Sequence, residues 1–101
     1  MNMTQLRKML EGRKGQLSDE KFGNAVGVSG SVMFRYLKRD TTVGLDAVQK
    51  MVPAFAARGD TEMVGALMIY AAGLKVSDPG TLRKIGELAL LINGTPPESE
   101  A

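Results

Sequence analysis

The alternation of apolar and polar positions is helical from one end of the chain to the other, and it predicts six helices with no convincing strand. Thr4 is placed to N-cap a first helix through about Arg13, with Leu6, Met9 and Leu10 on one side. Gly12 and Gly15 punctuate its end. Ser18 caps a second helix, whose first turn holds Asp19 and Glu20 where acids complement the helix dipole. Phe22 and Val26 then lie four apart on one face, and Gly27 stops the helix. Only Val28 and Ser29 intervene before a third helix, whose apolar stripe is Met33, Tyr36 and Leu37.

Past the polar stretch Arg39 to Gly44, a fourth helix is expected from Leu45 to about Arg58, with Val48, Met51, Val52 and Phe55 inward. Pro53 has no amide hydrogen and is expected to kink this helix or divide it. Gly59 ends it. Asp60 caps a fifth helix, Thr61 to Ala72, which Gly73 terminates. Its run MVGALMIYAA is apolar on every side, so it is expected to be central or to meet another subunit. Asp78 before Pro79 opens the sixth helix, which reaches about Asn93. There Leu82, Ile85, Ala89 and Ile92 form one stripe, while Leu88, Leu90 and Leu91 leave the far side apolar. Such a helix seeks a second partner, and a homodimer through residues 61–93 is expected. The alternative is a monomer in which these leucines cover the fifth helix. No repeat or linker divides the chain. One helical domain over residues 1–94 is expected, followed by an acidic, Pro-containing tail at 95–101 that is expected to be disordered.

Composition narrows the chemistry. A chain of 101 residues has room for one core and can bury roughly two thirds of its unfolded surface. It has no Cys and no His, which excludes disulfides, thiol nucleophiles, the commonest metal ligand and the commonest general base. Ser with Lys is the remaining nucleophile and base combination, and no spacing suggests such a pair. No enzymatic activity, cofactor or metal is therefore expected. No apolar run approaches the roughly 18 residues of a membrane span, and the charged N-terminal stretch MNMTQLRKMLEGRKG does not read as a signal peptide. A cytoplasmic location away from membranes is expected. The net charge is only +2, but it is unevenly spread. Residues 1–40 carry eight Lys or Arg against four acids, and the remainder carries five against seven. A basic half joined to an acidic half suggests a polyanion-facing surface and a separate assembly part.

Two short helices joined as tightly as the second and third must cross steeply, which makes a helix-turn-helix of residues 18–38. The segment LSDEKFGNAVGVSGSVMFRYLKR, Leu17 to Arg39, resembles that of the Cro/repressor family, the lambda repressor-like or XRE-type DNA-binding domains. Leu17 and Ser18 open its first helix, and Glu20 sits in the first turn. Phe22 and Val26 take inward positions, and Gly23 takes the small-residue position where the helices touch. Gly27 is the turn glycine and Val28 the apolar plug. Ser29 starts the second helix, with Met33 and Tyr36 inward. The likeness continues loosely through the Leu45 helix and covers about residues 4–58, whereas residues 60–101 have no specific match. The resemblance implies an all-α, lambda repressor-like helix-turn-helix bundle of about five to six helices with a C-terminal helical extension.

It also implies a function: sequence-specific binding of double-stranded DNA, as in bacterial or phage transcriptional regulators, with the protein on the nucleoid when bound. In this family the second motif helix lies in the major groove. Base-reading positions are then Ser29, Gly30, Ser31, Phe34 and Arg35. Arg35 is the best reader, because its planar fork can bond both acceptors on the edge of guanine. Phe34 either meets a thymine methyl or packs under the 39–44 loop. Lys21, Asn24, Lys38 and Arg39 are placed for phosphate, and Arg13 and Lys14 would add to the field. Two positions depart from the family pattern. Asp19 stands where a side-chain amide is usual, and its charge would repel phosphate. Gly30 stands where a long polar base reader is usual. Both favour the alternative, a non-catalytic protein-interaction or assembly module on the same fold.

Overall fold

The computed structural model describes residues 1–93, and these form six α-helices with no strand among them. They are α1 (Met3–Lys14), α2 (Asp19–Ala25), α3 (Gly30–Lys38), α4 (Leu45–Ala57), α5 (Thr61–Ala72) and α6 (Pro79–Asn93). The chain is all-α over this span. The 95–101 tail lies outside the described residues.

Local capping chemistry accounts for most of the boundaries. Ser18, Ser29 and Asp60 accept hydrogen bonds from the amides of Lys21, Val32 and Met63 respectively. Gly73 closes α5 in the left-handed region, and Asp78 Oδ2 accepts the Thr81 amide at the start of α6. The first helix departs from expectation. Its cap is Asn2 rather than Thr4: Asn2 accepts the Gln5 amide while the Gln5 side chain accepts the Asn2 amide, a reciprocal box that Thr4 cannot make. Pro53 does not divide α4, which runs unbroken from Leu45 to Ala57. Proline leaves the Gln49 carbonyl without its helical partner, and both residues face solvent, where water can supply one.

The core is a continuous cluster drawn from all six helices. Leu6, Leu10, Phe22, Met33, Met51, Phe55, Met63 and Leu67 are fully buried within it. α5 is the central element, as its all-round apolar sequence requires, and it packs along α6 at very close range. Gly65 lies against the backbone of Leu82, and Gly86 lies against the backbone of Thr61, so a Cβ at either position has nowhere to go. The inward stripe of α6 is Leu82, Ile85 and Ala89; Ile92, expected to continue it, is exposed instead. α6 has left its neighbours by that turn.

Two polar ties hold the 39–44 loop and α1 in place. Tyr70 donates its hydroxyl to the Val43 carbonyl at 2.6 Å. Arg13 forks onto Asp60 at 2.9 and 3.1 Å and reaches Glu62 at 3.0 Å, joining α1 to the start of α5. Burial pushes the Asp60 carboxyl up, but the Arg13 hydrogen bond, the Met63 amide and the Arg13 and Arg58 charges together hold it below the ordinary carboxylate value. A carboxyl depressed in the folded state adds stability above its unfolded pKa, and that stability is lost as pH falls through the folded value. The midpoint of urea unfolding should therefore fall between pH 5 and pH 3, and Asp60→Asn should flatten that fall. An unchanged acid slope in the variant would remove Asp60 from the account.

Candidate nucleic-acid interface

The junction of α2 and α3 is built from small residues and backbone bonds. The Val26 amide bonds back to Phe22 and Gly23, and the Val28 amide donates to the Gly23 carbonyl at 2.9 Å. Gly27 turns the chain at φ +92°, and a Cβ there would also come within 2.7 Å of the Lys50 carbonyl oxygen. A Cβ on Gly23 would lie 2.7 Å from the Ser29 carbonyl oxygen and 3.0 Å from Met33 Cβ. Val28 plugs the turn from the inside. Met33, Tyr36 and Leu37 seat α3 in the core, so its opposite face is turned to solvent.

That face carries most of the residues expected on it. Ser31, Phe34, Arg35, Lys38 and Arg39 are all exposed. Phe34 is 38% exposed, and Arg39, the first residue of the 39–44 loop, stands with its guanidinium over the ring at 5.5 Å from the centroid, so the start of the loop covers part of the ring. Arg35 has no ion-pair partner among the described residues. Ser29 is exposed, but its Oγ accepts the Val32 amide and lies 3.2 Å from Ser31 Oγ. Gly30 is the exception: it faces α2, where a Cβ would come within 2.5 Å of Glu20 Cα. It is a close-packing position between the two helices and offers a groove nothing. The missing long reader at this position therefore has a steric cause.

The surrounding charges are more engaged than the sequence suggests. Lys21 and Asn24 are exposed on α2. Lys38 lies 3.5 Å from Glu11 and 3.8 Å from Asp19, and Lys14 lies 3.6 Å from Asp19. Asp19 thus faces two ammonium groups, which offsets the repulsion expected of it, and it holds part of the Lys38 charge within the protein. Arg13 and Lys14, expected to add to the field, are committed to Asp60 and Glu62 and to Asp19.

Arg7 was not legible as part of this region. Its Nε donates to the Tyr36 carbonyl at 2.7 Å, and its other end pairs with Asp40 at 3.2 Å, so it clamps the last turn of α3. Both partners lie about thirty residues away, and a lone Arg on an amphipathic helix carries no local sign of such a role.

Among the described residues, no helix is long and apolar enough to cross a membrane, and no group of His, Cys, Asp or Glu could hold a metal ion. Comparison of the chain with protein-family models, with curated proteins and with solved structures finds no match.

Proposed function

We propose that this chain binds double-stranded DNA sequence-specifically through a repressor-like helix-turn-helix formed by α2 and α3, and that it acts as a transcriptional regulator of the bacterial or phage kind. The observation that carries the reading is the solvent face of α3. It presents Ser31, Phe34 and Arg35 together on a helix whose other side is locked into the core. A helix that fits the major groove and offers an unpaired guanidinium has the donor fork that guanine accepts through O6 and N7. The Phe34 ring beside it supplies an apolar contact for a thymine methyl, with Arg39 stacked behind the ring and near the strand. Lys21 is exposed beside α3, and Arg39 can reach phosphate from its place over the Phe34 ring. Lys38 reaches it by exchanging Glu11 and Asp19 for a phosphate oxygen.

The test is fluorescence anisotropy with duplexes selected from a random pool, repeated at several salt concentrations. Arg35→Ala should weaken binding to the selected site about tenfold to a hundredfold, the weight of one bidentate base contact. It should leave binding to unrelated duplex nearly unchanged. Arg39→Ala should weaken both alike and reduce the salt slope by about one. Flat titrations from the folded parent chain at physiological salt would reject the DNA reading. The interaction module, favoured by Gly30 and by the engaged state of Lys38, would then take its place.

A further inference from the structure

The carboxyl end of α3 is one donor short. The Arg39 and Thr41 amides both turn to the Arg35 carbonyl, at 3.0 and 3.3 Å, and among the described residues no backbone amide reaches the Tyr36 carbonyl. Arg7 fills that place from α1. Its Nε donates to the Tyr36 carbonyl at 2.7 Å, and its Nη2, itself buried, lies 3.2 Å from Asp40 Oδ1 without the alignment of a hydrogen bond. A guanidinium suits this end of a helix, where the dipole gathers negative charge. Asp40 adds little, since its side chain is 93% exposed and water screens the pair. The bond to Tyr36 is therefore the firmer half of the grip. Met3 stands four residues before Arg7, on the same face of α1, and its sulfur accepts the Val43 amide at 3.5 Å. One face of α1 thus braces both the last turn of α3 and the loop after it.

We infer that Arg7 is a positioning residue for base reading, holding α3 at the angle that brings Arg35 to a base edge; this rests on the DNA reading above. α3 has nine residues, about 13 Å of helix. Its front end is pressed against α2, where Gly30 lies against Glu20 and Gly23 against Ser29. The freedom left to it is chiefly a tilt about that end. A tilt of about 10° would carry Arg35, a turn and a half along, by about 1 Å. A paired hydrogen bond to O6 and N7 of guanine is lost by such a displacement, because both bonds need length and alignment at once. Phosphate contacts tolerate it, since they meet a charge rather than a pattern. Loss of Arg7 should therefore cost selectivity more than adhesion.

Two measurements test the role. In NMR spectra of the free parent chain, the Arg7 Nε proton should exchange slowly with water and couple across the hydrogen bond to the Tyr36 carbonyl carbon. Fast exchange with no coupling would overturn the inference before any DNA is added. In anisotropy titrations, Arg7→Met keeps most of the apolar stem and removes the donors. It should lower the ratio of selected to unrelated duplex affinity about tenfold. The missing charge by itself would weaken both affinities alike, so only the ratio reports the aim of α3. In an Arg35→Ala background the same change should leave the ratio within about twofold, because the reader that Arg7 aims is gone. If the Met variant does not fold, Arg7→Lys takes its place, since it keeps the charge but cannot present Nε and Nη2 as a fork. Helical circular dichroism matching the parent's is required of whichever variant is used. A folded variant that keeps the parent's ratio would overturn the inference and leave Arg7 a stabilising contact only. Flat titrations from the parent would remove the DNA reading and the positioning role together.

Discussion

Gly65→Ala should lower the free energy of unfolding by about 3 kcal/mol or more, although one methyl group is all it adds. In an isolated helix the same change would stabilise by about 1 kcal/mol, because alanine is the better helix former. The sign reverses because the new Cβ meets the Leu82 backbone rather than a side chain that could rotate away. α6 cannot retreat easily, since Gly86 is pressed in the same way against Thr61. Gly12→Ala provides the control. It lies within α1 with nothing within 4 Å of the added atom, and the substitution should raise stability by about 0.5–1 kcal/mol. Urea unfolding of both variants decides the matter, and a Gly65→Ala midpoint at or above that of the parent would refute the close approach of α5 and α6.

Phe55→Ala should cost about 4 kcal/mol, the usual loss when a large buried ring is removed and the cavity only partly collapses. Phe55 and Phe22 are both fully buried, and their rings meet edge to face, with centroids 6.5 Å apart at 61°. The pair joins α4 to α2, so it also sets where α3 stands. Phe22→Ala should cost a similar amount. The double variant should fall short of the sum by about 0.5–1.5 kcal/mol, the part owed to the ring contact itself. Strict additivity would mean that burial alone accounts for both residues. A variant that stays folded but has lost preference among duplexes would show that the joint aims α3.

The features legible in the sequence are those whose causes lie within a few residues. Ser18, Ser29, Asp60, Gly73 and Asp78 mark helix ends because a cap and the amide it bonds are three residues apart. Phe22, Met33 and Tyr36 could be assigned inward from spacing alone. At the first helix Thr4 stands beside the apolar stripe, but Asn2 with Gln5 satisfies two amides at once and is the cap. Ile92 follows the stripe of Leu82 and Ala89 by periodicity, but periodicity does not say where the neighbouring helix ends. The outward face of α3 was legible by subtraction. What Lys38, Arg13 and Arg7 do there was not, because Glu11, Asp60 and Tyr36 lie far along the chain and no pattern of spacing couples them. The reason for Gly30 was hidden in the same way, since the atom it avoids belongs to α2.

The Arg13 fork also bears on the order in which the chain assembles. Packing here mostly joins helices adjacent in sequence: α5 with α6, α2 with α3, and α4 with α5. Contacts of that kind close short loops and form in microseconds to milliseconds. α1 is different. It packs on α5 and α3 rather than on α2, and its guanidinium reaches across 47 residues to Asp60. Closing so long a loop costs chain entropy before any contact can offset it. The topological cost of this fold is therefore concentrated in its first helix, and the charged fork is part of what makes closure of that loop worthwhile.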